Sequence, residues 1–281
     1  MRQKALPYLL LAPATLFLCV FFLYPFLLVA WESITRNGVV TLDNFRTMGG
    51  HWKFPLTFWN TLALAGVVVP VQLALALAMA SIVSNMNRGR SAVLYIFAIP
   101  LGISDLAAGL IWLAIFEQSG FLNSWLSMLG VTERPIMFLG YQSTLSLFAA
   151  VAIAEIWRAT AIMMVILVAG MGLIPKEYGE AAEVFGAGPW KRFTRVTLPL
   201  LRPSLQTALI LRVILAFEVF AVVAALAGNN FPVLMGETYH WQFALRDRGV
   251  AAAFAMVILG ISIAFTVMLL YLLRVPREAR I

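Results

Sequence analysis

Long apolar runs separated by shorter polar ones organise this chain. Runs long enough to cross a bilayer as helices lie at about 7–31, 57–84, 92–116, 141–170, 204–227 and 250–273. About 20 apolar residues, rising about 1.5 Å each, span the hydrocarbon core. Six such runs predict an all-α, polytopic membrane protein, read as a single transmembrane domain over 1–281. The longest polar interruption, 171–203, falls between the fourth and fifth runs. Within it Pro175 suits the first helical position, where its missing N–H costs nothing. Glu177 and Glu180 then sit near the positive helix end. Gly186-Ala187-Gly188 breaks the run and Pro189 restarts it. Trp190, Phe193 and Val196/Thr197 recur at helical spacing, while Lys191, Arg192 and Arg195 project elsewhere. Pro199 and Pro203 end the segment. The pattern predicts two short helices joined by a turn, outside the apolar layer.

The remaining connections are simpler. The segment 32–56 is polar and mixed, with Asp43-Asn44-Phe45 inside it. Phe58-Trp59-Asn60-Thr61 opens the second run at interfacial depth, where Trp is common. Asn85 to Arg90 is a tight turn. Glu117 to Gly140 alternates polar and apolar residues and predicts a short interfacial helix around Leu122–Leu129.

Charges inside the apolar runs are the candidate chemistry, because a lone charge at the centre of a spanning helix costs at least a few kcal/mol. In the third run Pro100 and Gly102 precede Asp105. That pattern marks either a broken helix beside a cavity or a plain kink with Asp105 capping it or near the interface. In the fourth run Glu155 and Arg158 are three apart and can pair on one face. They and Trp157 read equally as an internal ion pair or as part of a substrate pathway. Aromatic faces suit sugar rings, and Arg suits hydroxyl or anionic groups. Arg212 and Glu218 in the fifth run are too far apart to pair locally as well, so each calls for a partner on another helix. Arg158 with Arg212 hints at an anionic cargo, and internal pairing explains them equally well.

Hydrophobic residues make up 62% of the 281 and charged ones 12%. Such a chain cannot cover its surface with polar groups, so lipid must be part of its solvent. Cys19 is the one cysteine, which excludes an intrachain disulfide and a thiolate metal cluster. His51 and His240 lack ligand spacing. The net charge is +7, yet the basic residues form no single patch for nucleic acid. With the N-terminus inside and six spans, twelve of them fall in cytoplasmic segments, including Arg88, Arg90, Lys176, Lys191, Arg192 and Arg195, against six outside. That asymmetry places both termini and the 171–203 segment in the cytoplasm. No phosphate loop, HExxH helix or GxSxG turn occurs, so the chain carries no ATP site of that kind and no recognisable catalytic set.

The pattern Glu180-Ala181-Ala182, Gly186-Ala187, Phe193, Val196, Leu198-Pro199 and Pro203 resembles the cytoplasmic EAA loop of ABC-importer permeases. Gly109-Leu110-Ile111-Trp112 through Phe116, then Gly120-Phe121-Leu122-Asn123, is similar to the carbohydrate-type permeases of that superfamily. Ala227-Gly228-Asn229-Asn230 departs from the Gly-Gly-Pro turn those permeases often carry. The resemblance implies a type I permease fold and a loop seated as a coupling helix in a groove of a separate ATPase. Glu180, Ala181, Ala182, Gly186 and Ala187 would form the ATPase-coupling site, with Glu180 at the groove rim and Gly186 making the turn. It further implies a second six-span permease subunit, two ATPase subunits holding ATP and Mg, and an extracytoplasmic binding protein. No cofactor is expected in this chain. The cargo class implied is an oligosaccharide, disaccharide or polyol phosphate, carried by alternating access across a bacterial or archaeal cytoplasmic membrane. A secondary transporter driven by an ion gradient and a membrane assembly subunit without transport are the other classes the apolar pattern permits.

Overall fold

The computed structural model describes residues 2–140 and 144–274. In chain order the helices are α1 (Arg2–Leu18), α2 (Tyr24–Ser33), α3 (Asp43–Gly50), α4 (Phe54–Asn85), α5 (Arg90–Ala98), α6 (Asp105–Phe116), α7 (Phe121–Met128), α8 (Thr144–Gly172), α9 (Lys176–Val184), α10 (Pro189–Arg192), α11 (Leu198–Leu200), α12 (Arg202–Phe217), α13 (Ala221–Leu226), α14 (Leu234–Tyr239) and α15 (Arg248–Leu272). Two-residue strands β1 (Thr35–Arg36) and β2 (Val39–Val40) pair antiparallel between α2 and α3. Among the described residues five helical stretches are long and apolar enough to cross a membrane. A sixth arises if Pro189–Leu200 and Arg202–Phe217, bent by 71°, count as one span. The chain is a multi-pass membrane protein.

The helices refine the predicted runs in detail. The third apolar run, 92–116, is not one helix: a 3₁₀ turn at Ile99–Gly102 and extended residues at Ile103 and Ser104 divide α5 from α6. Pro100 and Gly102 supply the break, and the Ser104 side chain caps α6 by accepting from Ala107 N. The fifth run, 204–227, is interrupted at Glu218–Phe220, where α12 ends and α13 begins. Pro199 and Pro203, at the end of the polar segment, both lie inside helical turns, and the 71° bend falls at Leu201 between α11 and α12. A π-turn at Phe193–Thr197 precedes Pro199, as another at Cys19–Leu23 precedes Pro25. Proline removes one backbone donor and crowds the carbonyl four residues back, which local widening relieves. The fourth predicted span began at 141, and residues 141–143 lie outside the described residues, as do Arg277 and Arg280 of the basic tail.

The chain forms two compact units. The first takes Met1–Pro55 and Leu234–Gly260. Its hairpin turns through Asn37 and Gly38, at φ 52° and 80°, the positive-φ pair that a two-residue hairpin loop requires. Asn44 is buried and donates to the carbonyls of Glu32, Ser33 and Thr35, closing the end of α2. It also fills the space that a Cβ on Gly249 would occupy.

The second unit takes Leu56–Val233 and Ile261–Ile281 and holds two separate apolar cores. One gathers Leu64 and Val68 of α4, Phe116 of α6, Leu147–Ala154 of α8 and Val222–Leu226 of α13. The other gathers Ala76, Ala80 and Val83 of α4, Met163–Val168 of α8, and Leu205 and Ala208 of α12, with Val93–Ala98 of α5 against them. Small residues set the close approaches: Gly109 of α6 meets Val222 and Ala225 of α13, and Gly170 of α8 meets Ser204 of α12. A Cβ at Gly170 would overlap Ser204 Oγ and lie 2.5 Å from Ser204 Cβ. Gly170→Ala is therefore expected to destabilise the protein by about 1–3 kcal/mol through overpacking. Thermal unfolding in detergent measures this, and adding Ser204→Gly restores most of the loss.

Candidate functional site

Between the two cores lies a polar layer built from four helices. Glu155 of α8 and Arg212 of α12 are each 1% exposed and pair at 3.0 Å through Oε2 and Nη2. Gln72 of α4 serves both: its Nε2 donates to the Glu155 carbonyl at 2.7 Å, and its Oε1 accepts from Arg212 Nε at 2.5 Å. Arg158, one helical turn beyond Glu155, donates from Nη2 to both Glu155 carboxylate oxygens at 3.2 Å. Its Nη1 donates to Asp105 Oδ1 at 2.6 Å, across to the first turn of α6. Two guanidinium groups thus face two carboxylates, and the layer is neutral. Its two ends differ: the Arg212–Glu155 bond is sealed, whereas the Asp105 side chain is 56% exposed.

The predicted pathway residues fall into three groups. Asp105, Glu155, Arg158 and Arg212 come together in this one network. Trp157 points into an aromatic row instead, edge-on to Trp112 at 5.9 Å, and Trp112 stacks on Phe116 at 5.3 Å. Glu218 takes no part: it is exposed at the end of α12 and makes no ion pair among the described residues. The expected interhelical partner for Glu218 is thus not found, because the helix stops there and turns its carboxylate away from the core. Gln72 escaped the sequence reading. Its signal was available, as an amide two residues past Pro70 in the apolar middle of the helix, a placement that calls for a buried partner.

The segment 171–203 forms the expected pair of helices. Pro175 stands one place before the helix, as its N-cap, so Glu177 lies in the first turn and Glu180 beyond it. Gly186 adopts φ 75° and its N–H donates to the Glu183 carbonyl at 2.9 Å. The Ala187 N–H donates to the Ala182 carbonyl at 2.9 Å. This pair of bonds is the Schellman arrangement that closes a helix with a left-handed glycine, and it explains the spacing of Ala182, Gly186 and Ala187. The Ala181 carbonyl accepts from Phe185 N in the same turn. Arg192 reaches back to pair with Glu183, fastening α10 to α9. At the tip Val184 and Phe185 are 86% and 90% exposed. Behind the elbow is a cavity of about 810 Å³ lined by Ser84, Asn85 and Arg90 together with Glu177, Glu180 and Arg192. The tight turn after α4 and the elbow therefore lie at the same end of this unit.

Removing one partner from a sealed pair leaves a buried charge uncompensated. Glu155→Gln and Arg212→Met are expected to lower stability by about 3–5 kcal/mol each, and Asp105→Asn, at the exposed end, by no more than about 1 kcal/mol. Chemical denaturation of the three variants in one detergent measures the order.

Comparison with known proteins agrees with this geometry. Residues 72–280 match the family model described as binding-protein-dependent transport system inner membrane component. The chain is 30% identical over 292 residues to the trehalose/maltose transport system permease protein of Thermococcus litoralis, covering 99% of this chain and 96% of that one. It is 33% identical over 274 residues to the arabinooligosaccharides transport system permease protein of Bacillus subtilis, covering 92% and 85%. In fold it is similar to a chain of a bacterial ABC transporter involved in the import of the acidic polysaccharide alginate, with a TM-score of 0.82 at 22% identity over 97% and 96% of the two chains. The chain belongs to the binding-protein-dependent transport system inner membrane components, and it is the non-catalytic permease subunit of an ABC importer, whose ATPase is a separate subunit.

Proposed function

We propose that this chain forms half of the translocation pathway for an uncharged oligosaccharide or disaccharide. It pairs with a second six-span permease subunit, above two ATPase subunits that bind ATP and Mg, and receives cargo from an extracytoplasmic binding protein. The observation that carries this reading is the elbow of α9 and α10. It is rooted on α8 and α12, the two helices joined by the Glu155–Arg212 pair, and it ends in the exposed apolar tip Val184-Phe185. An ATPase groove that takes this tip, with Glu180 at its rim, moves both helices together when ATP closes the ATPase pair. Ala181, Ala182, Gly186 and Ala187 hold the turn in shape. The resulting motion alternately opens the pathway to either side of the membrane.

Relatives named for trehalose/maltose and arabinooligosaccharides support a carbohydrate cargo. Charge balance supports a neutral one. Arg158 and Arg212 are both matched by carboxylates, and Glu218 adds an exposed negative charge. A surplus of positive potential favours an anionic cargo, and this layer carries none. The orientation follows from the elbow and the tight turn sharing one end, where Arg88, Arg90, Lys176, Lys191, Arg192 and Arg195 gather. That end faces the cytoplasm, with both termini inside, in a bacterial or archaeal cytoplasmic membrane.

Glu180→Lys and Gly186→Trp test the elbow in vesicles holding the assembled transporter. A bulky residue at φ 75° carries about 1–2 kcal/mol of strain, and a loss of that size in coupling lowers uptake about tenfold. ATP hydrolysis and membrane insertion persist, and normal uptake in both variants overturns the assignment. Trp157→Ala and Arg158→Ala test the pathway by uptake and by cargo-stimulated ATPase activity. Unchanged kinetics in both remove those residues from it. In a competition assay a neutral disaccharide is expected to block uptake where its phosphorylated analogue does not.

A further inference from the structure

Three ion pairs hold most of the charge described in the first unit. Arg36 faces Asp247 at 3.3 Å, Arg46 faces Asp43 at 3.1 Å and Lys53 faces Glu237 at 3.6 Å. Arg246 and Arg248 are exposed and form no ion pair among the described residues. Asp247 stands between them in the chain, but its carboxylate is committed. Its Oδ2 accepts from Arg36, and its Oδ1 accepts from the Val250 N–H at the start of α15. Glu32, the remaining carboxylate of this unit, lies beyond ion-pair reach of both arginines.

Arg246 is also held in an uncommon backbone conformation. Its φ is 56°, and among the described residues Asn37 is the other one besides glycines with positive φ. That conformation crowds Cβ against the following carbonyl oxygen, so glycine is the usual residue where a helical stretch closes this way. The turn is fixed on both sides of Arg246. The Leu245 N–H donates to the His240 carbonyl at 3.1 Å, and the Asp247 N–H to the Trp241 carbonyl at 3.0 Å. Glycine suits that backbone better, yet arginine stands there, and the strain points to a use for its side chain.

The surroundings indicate the kind of ligand. The spanning helix α15 starts at Arg248, and its apolar run begins at Val250. Just before the arginines the chain presents Tyr239, Phe243 and Leu245, each half exposed or more. The Tyr239 and Phe243 rings lie 4.7 Å apart. Aromatic side chains at the end of a span settle at headgroup level. The segment 239–248 thus places two unpaired guanidinium groups between an exposed aromatic surface and the edge of the hydrocarbon. A guanidinium fork matches phosphate oxygens in geometry and charge. A ligand that answers both halves carries a phosphate and an acyl chain, whereas an acidic protein surface answers only the arginines.

We infer that Tyr239, Phe243, Leu245, Arg246 and Arg248 form a binding site for an anionic phospholipid, with its phosphate on the two arginines and its glycerol and upper acyl chain on the other three. The Arg36–Asp247 pair ties the turn to β1 and leaves both arginines to the lipid. The site goes beyond the transport reading and holds for either orientation of the spans.

Native mass spectrometry of the assembled transporter tests the site, after delipidation in detergent and addition of phosphatidylglycerol and phosphatidylcholine of matched chains in equal amounts. Phosphatidylglycerol is expected to be retained in preference. Arg246→Gln and Arg248→Gln each lower that retention about fivefold. Arg46→Gln, at an arginine already paired, leaves it unchanged. Arg246→Gly lowers it as Arg246→Gln does, while the unfolding temperature holds or rises because the backbone strain is relieved. Phe243→Ser weakens retention without removing a charge. Equal retention of the two lipids, or a preference that survives in the Arg246→Gln/Arg248→Gln double variant, overturns the site. So does retention of glycerol 3-phosphate as tight as that of phosphatidylglycerol, which gives the arginines to a free anion. A double variant that loses its stimulation by the binding protein in pure phosphatidylcholine vesicles gives the patch to an acidic protein surface, and likewise overturns the lipid assignment.

Discussion

The Glu155–Arg212 ion pair, closed on all sides at 3.0 Å, governs the rest of the second unit. Two charges withdrawn from water are tolerated only when their geometry is good and their remaining hydrogen-bonding groups are served. Here Gln72 accepts from Arg212 Nε and donates to the Glu155 carbonyl, and Arg158 donates to the Glu155 carboxylate. Arg212 Nη1 and Arg158 Nε are left without partners among the described residues, and the bonds that do form tie α4, α8 and α12 together and reach α6 through Asp105. The apolar cores above and below have no comparable directionality. They fill space with alanine, valine, leucine and methionine, whereas the pair dictates which helix stands beside which and at what height.

The elbow is held in shape by contacts of its own. Its helices are short, and short isolated helices are marginal in water. They hold their shape because Gly186 closes α9 with two backbone bonds and because Arg192 ties α10 back to Glu183. Gly170 then allows Ser204, at the start of α12, to approach the end of α8. The roots of the elbow are consequently in contact with each other.

Much of this was legible in the chain itself. The spans, the paired helices of the elbow, the glycine turn and the Glu155–Arg158 pairing all follow from spacing within one or two turns. The short helix predicted around Leu122–Leu129 lies at Phe121–Met128 and ends in the same left-handed glycine device, at Gly130. Other features were within reach and passed over. Asn37-Gly38 is a strong hairpin signal, and it was submerged in a segment read only as polar. Pro100 and Gly102, by contrast, were read as either a broken helix or a kink, and the chain breaks there before α6. Trp157 was singled out because an aromatic beside an arginine suits a sugar; its ring stands edge-on to Trp112, a contact that no local spacing announces.

Periodicity and composition determined by themselves that this is a helical, multi-pass membrane protein with a structured polar elbow, because those properties depend on neighbours along the chain and on the solvent around it. Only the tertiary structure decided the pairing of Arg212 with Glu155, 57 positions apart, the part played by Gln72, and the isolation of Glu218. A charge inside an apolar run signals that a partner must exist, and desolvation gives the reason. Which partner it finds depends on how four helices align in depth and rotation, and their packing sets that through small residues and breaks distant in sequence.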